Sequence, residues 1–401
     1  MSFAIAILGL AFLILVHEAG HFFASLAVGL RPRKFYVGFP PPLVRTKRKG
    51  IEYGIGMVPL GGYVSIPGMH RPIPHDAERR FSRAVAEAPV LAGPVDRVKR
   101  SLETDDFAET HATLDELDEA LREHKLSPGA VATAEKGLTE LRDALGSDAY
   151  WKAPTWKRLV AIAAGPAANI ALTVVVFAIL FTQVGGNPSR TVRSVSADSP
   201  AEEAGVLAGD RVIAVDGEPV SGQELGERIL ASLGRALRLT VVRSGEELIL
   251  APVTPKETDG GYRIGITREG TGLPPLAAVG RAFEVTGLAS KEIVLSIGRL
   301  AGGEGRKDVA SPIGITRVSS DAVEEGIESY LWVLGLISLS LALLNLLPLL
   351  PLDGGHILFT LIEGARGKFV RREVYERVSV IGLAIVLLLF FVGLSNDIGK
   401  L

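Results

Sequence analysis

The sequence contains no cysteine among its 401 residues. Disulfide bonds and thiolate metal sites are therefore excluded, and any metal ion must be bound by His, Asp or Glu. Basic and acidic residues nearly balance, with 43 Lys and Arg against 45 Asp and Glu, which gives a formal net charge of -2. The chain thus lacks the basic excess that favours binding to nucleic acid, and no nucleic-acid partner is expected.

Charged residues are nearly absent from four long stretches, although they make up 22% of the chain. These stretches are residues 3–30, 159–184, 330–352 and 378–395, and charge enters only the first, within His17-Glu18-Ala19-Gly20-His21. About 20 apolar residues span the roughly 30 Å of bilayer hydrocarbon, and each stretch comes near that length. The sequence predicts a multi-pass α-helical membrane protein with four transmembrane helices and the lipid bilayer as its surroundings.

Basic residues predict the orientation, because cytoplasmic flanks carry an excess of Lys and Arg. Seven follow the first span: Arg31, Arg33, Lys34, Arg45, Lys47, Arg48 and Lys49. Lys157 and Arg158 precede the second span, and Arg366, Lys368, Arg371 and Arg372 lie between the third and the fourth. We therefore expect a protein of the inner (plasma) membrane whose segment from residue 185 to about residue 328 is extracytoplasmic. The polar ends of the first and third spans then both lie near the cytoplasmic face.

The cytoplasmic side is predicted to carry two elements between the first two helices. Residues 31–71 combine aromatic and alternating residues with Gly and Pro, which favours a small membrane-associated or re-entrant β element. Residues 72–154 are rich in charge and alanine and are predicted as a solvated helical hairpin over 112–125 and 128–145, with partner binding as the alternative. Ser127 before Pro128 is typical of a helix start.

The remaining segments complete the predicted organisation. Residues 1–30 form the first transmembrane helix, residues 155–184 the second, 329–357 the third, and 358–401 a cytoplasmic loop with the fourth. Residues 271–328 are expected to be an amphipathic connector. Residues 185–270 are predicted as an inserted α+β domain, since the run from Ala204 through Asp210 to Gly217 resembles the PDZ pattern. PDZ domains commonly bind extended peptides at a sheet edge, so a peptide ligand is a candidate partner.

The first span contains the pattern H-E-x-x-H. His17 and His21 are four residues apart and share one face of a helix, so both imidazoles can bind one zinc ion (Zn²⁺), while the adjacent Glu18 can act as a base. Ionisable groups inside a bilayer are costly and need a compensating partner. The alternative interpretation is that both histidines only form hydrogen bonds to another helix.

A third ligand is expected, because catalytic zinc usually keeps three protein ligands and one open position. Asp353 is the clearest carboxylate within the spans outside the histidine motif. It follows Pro348 and Pro351 and precedes two glycines, a composition that breaks a helix and exposes backbone groups to a polar cavity. The alternative for Asp353 is a turn residue at the helix end. His356 is left outside the predicted metal site.

These motifs together resemble the site-2 protease family, and in particular the bacterial regulator-of-sigma-E proteases with one PDZ domain. Besides the histidine motif and Asn345 to Gly354, the resemblance includes Gly165-Pro166-Ala167-Ala168-Asn169 and Ser311-Pro312-Ile313-Gly314-Ile315. It covers nearly the whole chain except residues 72–154. It implies His17, His21 and Asp353 as zinc ligands, Glu18 as general base, and Asn345 and Asn169 as groups that hold the substrate backbone or the oxyanion. Either Asn can instead form only a hydrogen bond to a neighbouring helix.

The resemblance also implies an activity: hydrolysis of a peptide bond in the transmembrane segment of a single-pass membrane protein. The expected substrates are an anti-sigma factor, in regulated intramembrane proteolysis, or signal-peptide remnants. The segment from Gly54 to Tyr63 would pair with the unwound substrate as an added strand. Two other classes compete: a membrane scaffold that recruits peptides through the PDZ-like domain, and a transporter of ions or zinc.

Overall fold

A computed structural model describes residues 1–104, 106–184, 188–258, 261–270, 272–306 and 309–399. The chain divides into two compact units. The first comprises Met1–Ala171, Val294–Asp321 and Ser338–Leu401, and the second comprises Leu172–Ile293 and Ala322–Ile337. The predicted metal site falls entirely within the first unit, and the PDZ-like segment falls within the second.

The first unit begins with helix α1 (Ser2–Val28) and two long strands, β1 (Lys34–Arg48) and β2 (Ile51–Ser65). The strands pair antiparallel with an irregular register, in which Val37 is paired with both Ile55 and Gly62. The beginning of β1 therefore pairs with both the beginning and the end of β2. Each strand of 15 residues folds back on itself, and the two together form a sheet of four short segments. This is the β element expected in residues 31–71.

The insertion has more helices than the two-helix hairpin that the sequence suggested. Where the structure describes this segment, four helices follow one another: α2 (Pro74–Glu87), α3 (Ala92–Glu103), α4 (Phe107–Glu123) and α5 (Pro128–Leu145). Their apolar faces form a core that includes Phe81, Val98, Leu114, Leu117 and Leu141. The predicted pair corresponds to α4 and α5, and the hairpin prediction was wrong in omitting α2 and α3. Six of the 14 residues of α2 are charged, and its buried face rests on few apolar residues, among them Ala77, Phe81 and Ala84.

Hydrogen bonds and ion pairs hold both ends of α5. The Ser127 hydroxyl caps α5 by accepting from the Ala130 N–H at 3.3 Å, which confirms the predicted helix start. Arg33 donates to Asp143 at 2.8 Å and to Asp148 at 2.8 Å, so the chain before β1 is attached to the end of α5.

Helix α6 (Thr155–Val184) leads into the β-rich part of the second unit. Its elements are β3 (Pro188–Val195), α7 (Pro200–Glu203), β4 (Arg211–Val215), β5 (Glu218–Pro219), α8 (Gly222–Ala231), β6 (Leu239–Arg243), β7 (Glu246–Ile249), β8 (Lys256–Thr258), β9 (Gly261–Arg263) and β10 (Ile266–Gly270). The main sheet has the order β10-β3-β4-β6-β7, and β5 pairs with β4. Residues 185–187 of the predicted domain lie outside the described residues.

This sheet and its two helices enclose a separate apolar core, which contains Val192, Val212, Leu225, Leu239 and Val241. The segment combines strands with helices, as the prediction of an α+β domain requires, and β10 completes the main sheet beside β3.

The C-terminal part of the chain contains five helices among the described residues: α9 (Pro275–Ala301), α10 (Pro312–Glu325), α11 (Ile327–Asn345), α12 (Asp353–Arg366) and α13 (Arg372–Ile398). The third apolar stretch is thus not one continuous helix. It ends at Asn345 and resumes at Asp353, because Pro348 and Pro351 lack the backbone N–H that a helix interior requires. The break agrees with the prediction from the prolines.

Among the residues that the structure describes, four helices are long and apolar enough to cross a membrane: α1, α6, α11 and α13. They coincide with the four uncharged stretches of the sequence. The shortest of them, α11, has 19 residues, which is near the length that a bilayer requires. The chain is therefore that of a membrane protein.

Candidate metal centre

Three potential metal ligands from distant parts of the chain converge at one point. His17 and His21 lie one turn apart on α1, and their Nε2 atoms are 3.3 Å apart. Asp353 is the first residue of α12, where the helix break returns the chain toward α1. Its Oδ2 atom lies 3.1 Å from His17 Nε2 and 3.3 Å from His21 Nε2.

These three atoms fit a zinc ion. Zn²⁺ binds imidazole and carboxylate at about 2.0–2.2 Å in tetrahedral sites, which places neighbouring ligand atoms roughly 3.3 Å apart. All three separations are close to this value. In addition, Asp353 Oδ2 is buried and has no hydrogen-bond partner within the described residues. Such an atom is costly unless something compensates it, and a cation does so.

The orientation of His21 is set by α6. Its Nδ1 lies 2.9 Å from the carbonyl oxygen of Ala161, so Nδ1 carries the proton and Nε2 is left as the metal-facing atom. Gly165 lies directly against the ring, and a Cβ at this position would overlap the imidazole. On α1, Gly20 directly precedes His21 and packs against the backbone of Ala164 on α6. The two helices approach so closely because these positions carry no side chain.

Glu18 is held between the metal ligands and the β element. The side chain packs against Gly62 of β2, where a Cβ would lie 3.0 Å from the Glu18 carboxyl carbon and would overlap its Cγ. The carboxylate thus stays beside the three ligands instead of turning toward lipid.

The other two predicted residues occupy different environments. Asn345 is the last residue of α11 and donates from Nδ2 to the carbonyl of Leu341 in its own helix at 2.9 Å. Asn169 is fully buried on α6, one turn beyond Gly165, and its backbone carbonyl accepts a hydrogen bond from Ser338 at 2.9 Å. Only the three ligands form a cluster that can hold a metal ion in the part of the chain that the structure describes.

Several contacts of the site could not be identified from the motifs. The Ala161 carbonyl orients a ligand through its backbone, and Gly62 and Gly165 act by having no side chain. A signal existed for α6, where small residues cluster between Ala161 and Asn169 in an otherwise bulky apolar stretch. His356, which was left outside the metal site, instead faces the Tyr375 ring, with 6.4 Å between ring centroids.

Comparison with known proteins gives matches along nearly the whole chain. A family model described as peptidase family M50 matches residues 5–389. The zinc metalloprotease RasP of Geobacillus kaustophilus is 29% identical, over 97% of this chain and 95% of that protein. The regulator of sigma-W protease RasP of Bacillus subtilis is 28% identical, over 97% and 96% of the two chains.

Among solved structures, the PDZ domain of an SdrC-like protein from Listeria monocytogenes is 26% identical. The match covers 20% of this chain and 87% of the solved chain, with a TM-score of 0.18.

Proposed function

Because the chain belongs to peptidase family M50 and is a zinc metalloprotease, we propose that it hydrolyses a peptide bond within the transmembrane segment of another membrane protein. The observation that carries this proposal is the position of the metal ligands. Two of them lie on α1, a helix long and apolar enough to span the bilayer, and the third follows the break after α11. Ligands at such places are accessible to a substrate that is itself in the membrane.

His17, His21 and Asp353 hold the zinc ion in this proposal. When bound there, zinc polarises the scissile carbonyl and makes water a stronger nucleophile near neutral pH. Glu18 takes the proton from the attacking water and delivers it to the leaving amide nitrogen. Its contact with Gly62 keeps the carboxylate beside the ligands, while Asp353 is the carboxylate that belongs to the metal cluster itself.

The substrate must present an extended backbone, since an amide inside a helix is shielded by its own hydrogen bonds. Within the expected range from Gly54 to Tyr63, Gly54 is paired with β1 on both sides, whereas Gly62 and Tyr63 are paired on one side only. We propose that the unwound segment pairs with β2 at Gly62 and Tyr63, beside Glu18. Asn345 and Asn169 would hold the substrate backbone or the oxyanion. For Asn345 this requires that the amide exchange its hydrogen bond to Leu341 for one to the substrate.

The proposed substrate class is a single-pass membrane protein, either an anti-sigma factor or a signal-peptide remnant. One relative is by name a regulator of sigma-W protease, which supports a regulatory substrate. We propose a multi-pass arrangement in the inner membrane, with the active site near the cytoplasmic face and residues 185–270 on the other side. The PDZ-like domain then either limits the size of the substrate or binds a peptide.

The test is co-expression with a tagged single-pass substrate, such as an anti-sigma factor without its outer domain. We expect cleavage by the unaltered chain and none by Glu18→Gln, while the purified variant still binds one zinc ion per chain. Glu123→Gln, the same change at an exposed position of the insertion, is the matched control and should cleave normally. Cleavage by Glu18→Gln, or cleavage that persists with a zinc chelator, would rule out the proposed mechanism.

A further inference from the structure

A basic cavity lies where the end of α1 meets the turn between β1 and β2. It has a volume of about 1160 Å³. Ten residues line it, and four of them are cations: Arg31, Arg33, Arg48 and Lys49. The other six are uncharged: Leu26, Pro32, Thr46, Gly50, Ile51 and Tyr53. The cations come from two separated parts of the chain, so the fold concentrates positive charge at this point.

Three of the four cations are available to a ligand. Arg33 is engaged with Asp143 and Asp148, but Arg31, Arg48 and Lys49 form no ion pair in the described part of the chain. Such a group of uncompensated cations next to a transmembrane helix attracts an anion and repels other cations.

An apolar groove of about 330 Å³ adjoins the basic cavity and shares Thr46 and Tyr53 with it. Its walls include Val44 and Ile55, which are 66% and 56% exposed. The folded sheet therefore changes character along its length, from exposed apolar side chains to exposed cations at the β1–β2 turn. The distance from Val44 to Lys49 along a strand is roughly 16 Å.

We propose that this surface binds an anionic phospholipid, with its phosphate among Arg31, Arg48 and Lys49 and one acyl chain along the apolar groove. A headgroup alone would leave the groove exposed to water, and an uncharged lipid would leave the three cations unpaired. The site lies at the end of α1. In the orientation proposed above, the basic flank of this spanning helix meets the anionic surface of the cytoplasmic leaflet there. An acidic segment of a protein is the competing occupant.

The experiment measures binding of short-chain phosphatidylglycerol to the purified full-length chain in neutral detergent. The variant is Arg31→Gln/Arg48→Gln/Lys49→Asn, with Asn at residue 49 because φ there is +51°. Arg33 is retained because of its ion pairs. The matched control is Arg366→Gln/Lys368→Gln, which removes exposed cations outside the cavity. Each cation near an anionic lipid surface contributes about fivefold in affinity, so we expect roughly 100-fold weaker binding for the triple variant and no change for the control.

Three further ligands separate the alternatives. Glycerol phosphate, which has the charge without the chains, should bind far more weakly than the lipid; equal binding would mean a site for free phosphate. Phosphatidylcholine has the chains without net charge, and equal binding to all variants would mean non-specific adhesion. Displacement of the lipid by an acidic peptide, with substrate cleavage reduced in the triple variant, would assign the surface to a protein segment. Retained zinc in every variant shows that the chain is folded.

Discussion

The helices that carry the metal ligands and the helices of the insertion differ in how they treat buried polar side chains. In the insertion, Ser101 donates to the Val98 carbonyl at 2.9 Å and Thr113 to the Thr110 carbonyl at 3.1 Å. At the metal centre, Asp353 Oδ2 is buried without a hydrogen-bond partner among the described residues, and it faces two histidine nitrogens. The absence of a partner alone does not separate the two regions, because Arg80 Nε of the insertion is also buried without a hydrogen-bond partner. What distinguishes the metal centre is that potential ligands from distant parts of the described chain converge around the unpartnered atom.

The largest difference in effect is expected when an Asp is changed to Asn once at the metal centre and once in the insertion. Asp353→Asn removes a charged ligand, and the chain should lose its zinc and at least roughly 100-fold of its activity, since even changes behind the ligands cost 10–100-fold. Asp143→Asn removes one of the two carboxylate partners of Arg33 at a partly exposed site and should cost less than about 1 kcal/mol of stability. Metal analysis and the cleavage assay measure the losses in Asp353→Asn, and thermal unfolding of the purified chain measures the stability of Asp143→Asn. Normal zinc content in Asp353→Asn would remove this residue from the ligand set.

A smaller contrast comes from adding one methyl group in each region. Gly165→Ala places a Cβ against the His21 ring and should weaken zinc binding about 10–100-fold, because it displaces a ligand held by α6. Gly93→Ala is the control on α3, where the nearest atom to a new Cβ is 3.9 Å away, and it should leave zinc binding unchanged. Competition with a chelator gives the affinities. An unchanged affinity in Gly165→Ala would show that the two helices can move apart freely.

Core truncation tests whether the insertion is independent of the site. Leu117 is fully buried among the four helices, and Leu117→Ala should destabilise the insertion by about 2–5 kcal/mol. Limited proteolysis should then cut within residues 74–145 more readily, while the zinc content stays at one ion per chain. Loss of zinc together with proteolytic sensitivity would show that the insertion supports the metal centre.

The smallest effect is expected when the pH is lowered and the stability of the insertion is measured. Hydrogen bonds from the hydroxyl and the backbone N–H of Ser127 lower the pKa of Glu87 below its ordinary value of 4.5. This contact joins the end of α2 to the start of α5. Its stabilisation is complete above the unfolded pKa and is lost as the pH falls through the lower folded pKa. Proteolysis of the insertion at decreasing pH measures it, and Glu87→Gln should show a flatter pH dependence than the unaltered chain.

The sequence predicted those parts of the molecule that depend on local pattern. Uncharged length located the four apolar helices, H-E-x-x-H placed two ligands on one helix face, and two prolines predicted the break before Asp353. The convergence of Asp353 on His17 and His21 is a tertiary property, and it was suggested by the absence of Cys and by family resemblance.

Other features depended on partners that a single sequence does not show. Helix α2 was missed because its polar residues hide a narrow apolar face that is stable only against the other three helices. Strand β10 exists through its pairing with β3, and the sheet of β1 and β2 exists through a register in which one segment has two neighbours. The orientation of His21 depends on a backbone carbonyl and on glycines, whose effect comes from space and not from chemistry.

The crossing of α1 and α6 has a consequence for protein engineering. Gly20 and Gly165 bring two backbones together with no flexible side chain between them, so the position of His21 is as rigid as the helices themselves. A designer who transfers only the three ligands to another bundle would reproduce the donor atoms but not this spacing. The portable unit is the helix pair with its two glycines, and a graft that omits it should bind several metals with little selectivity.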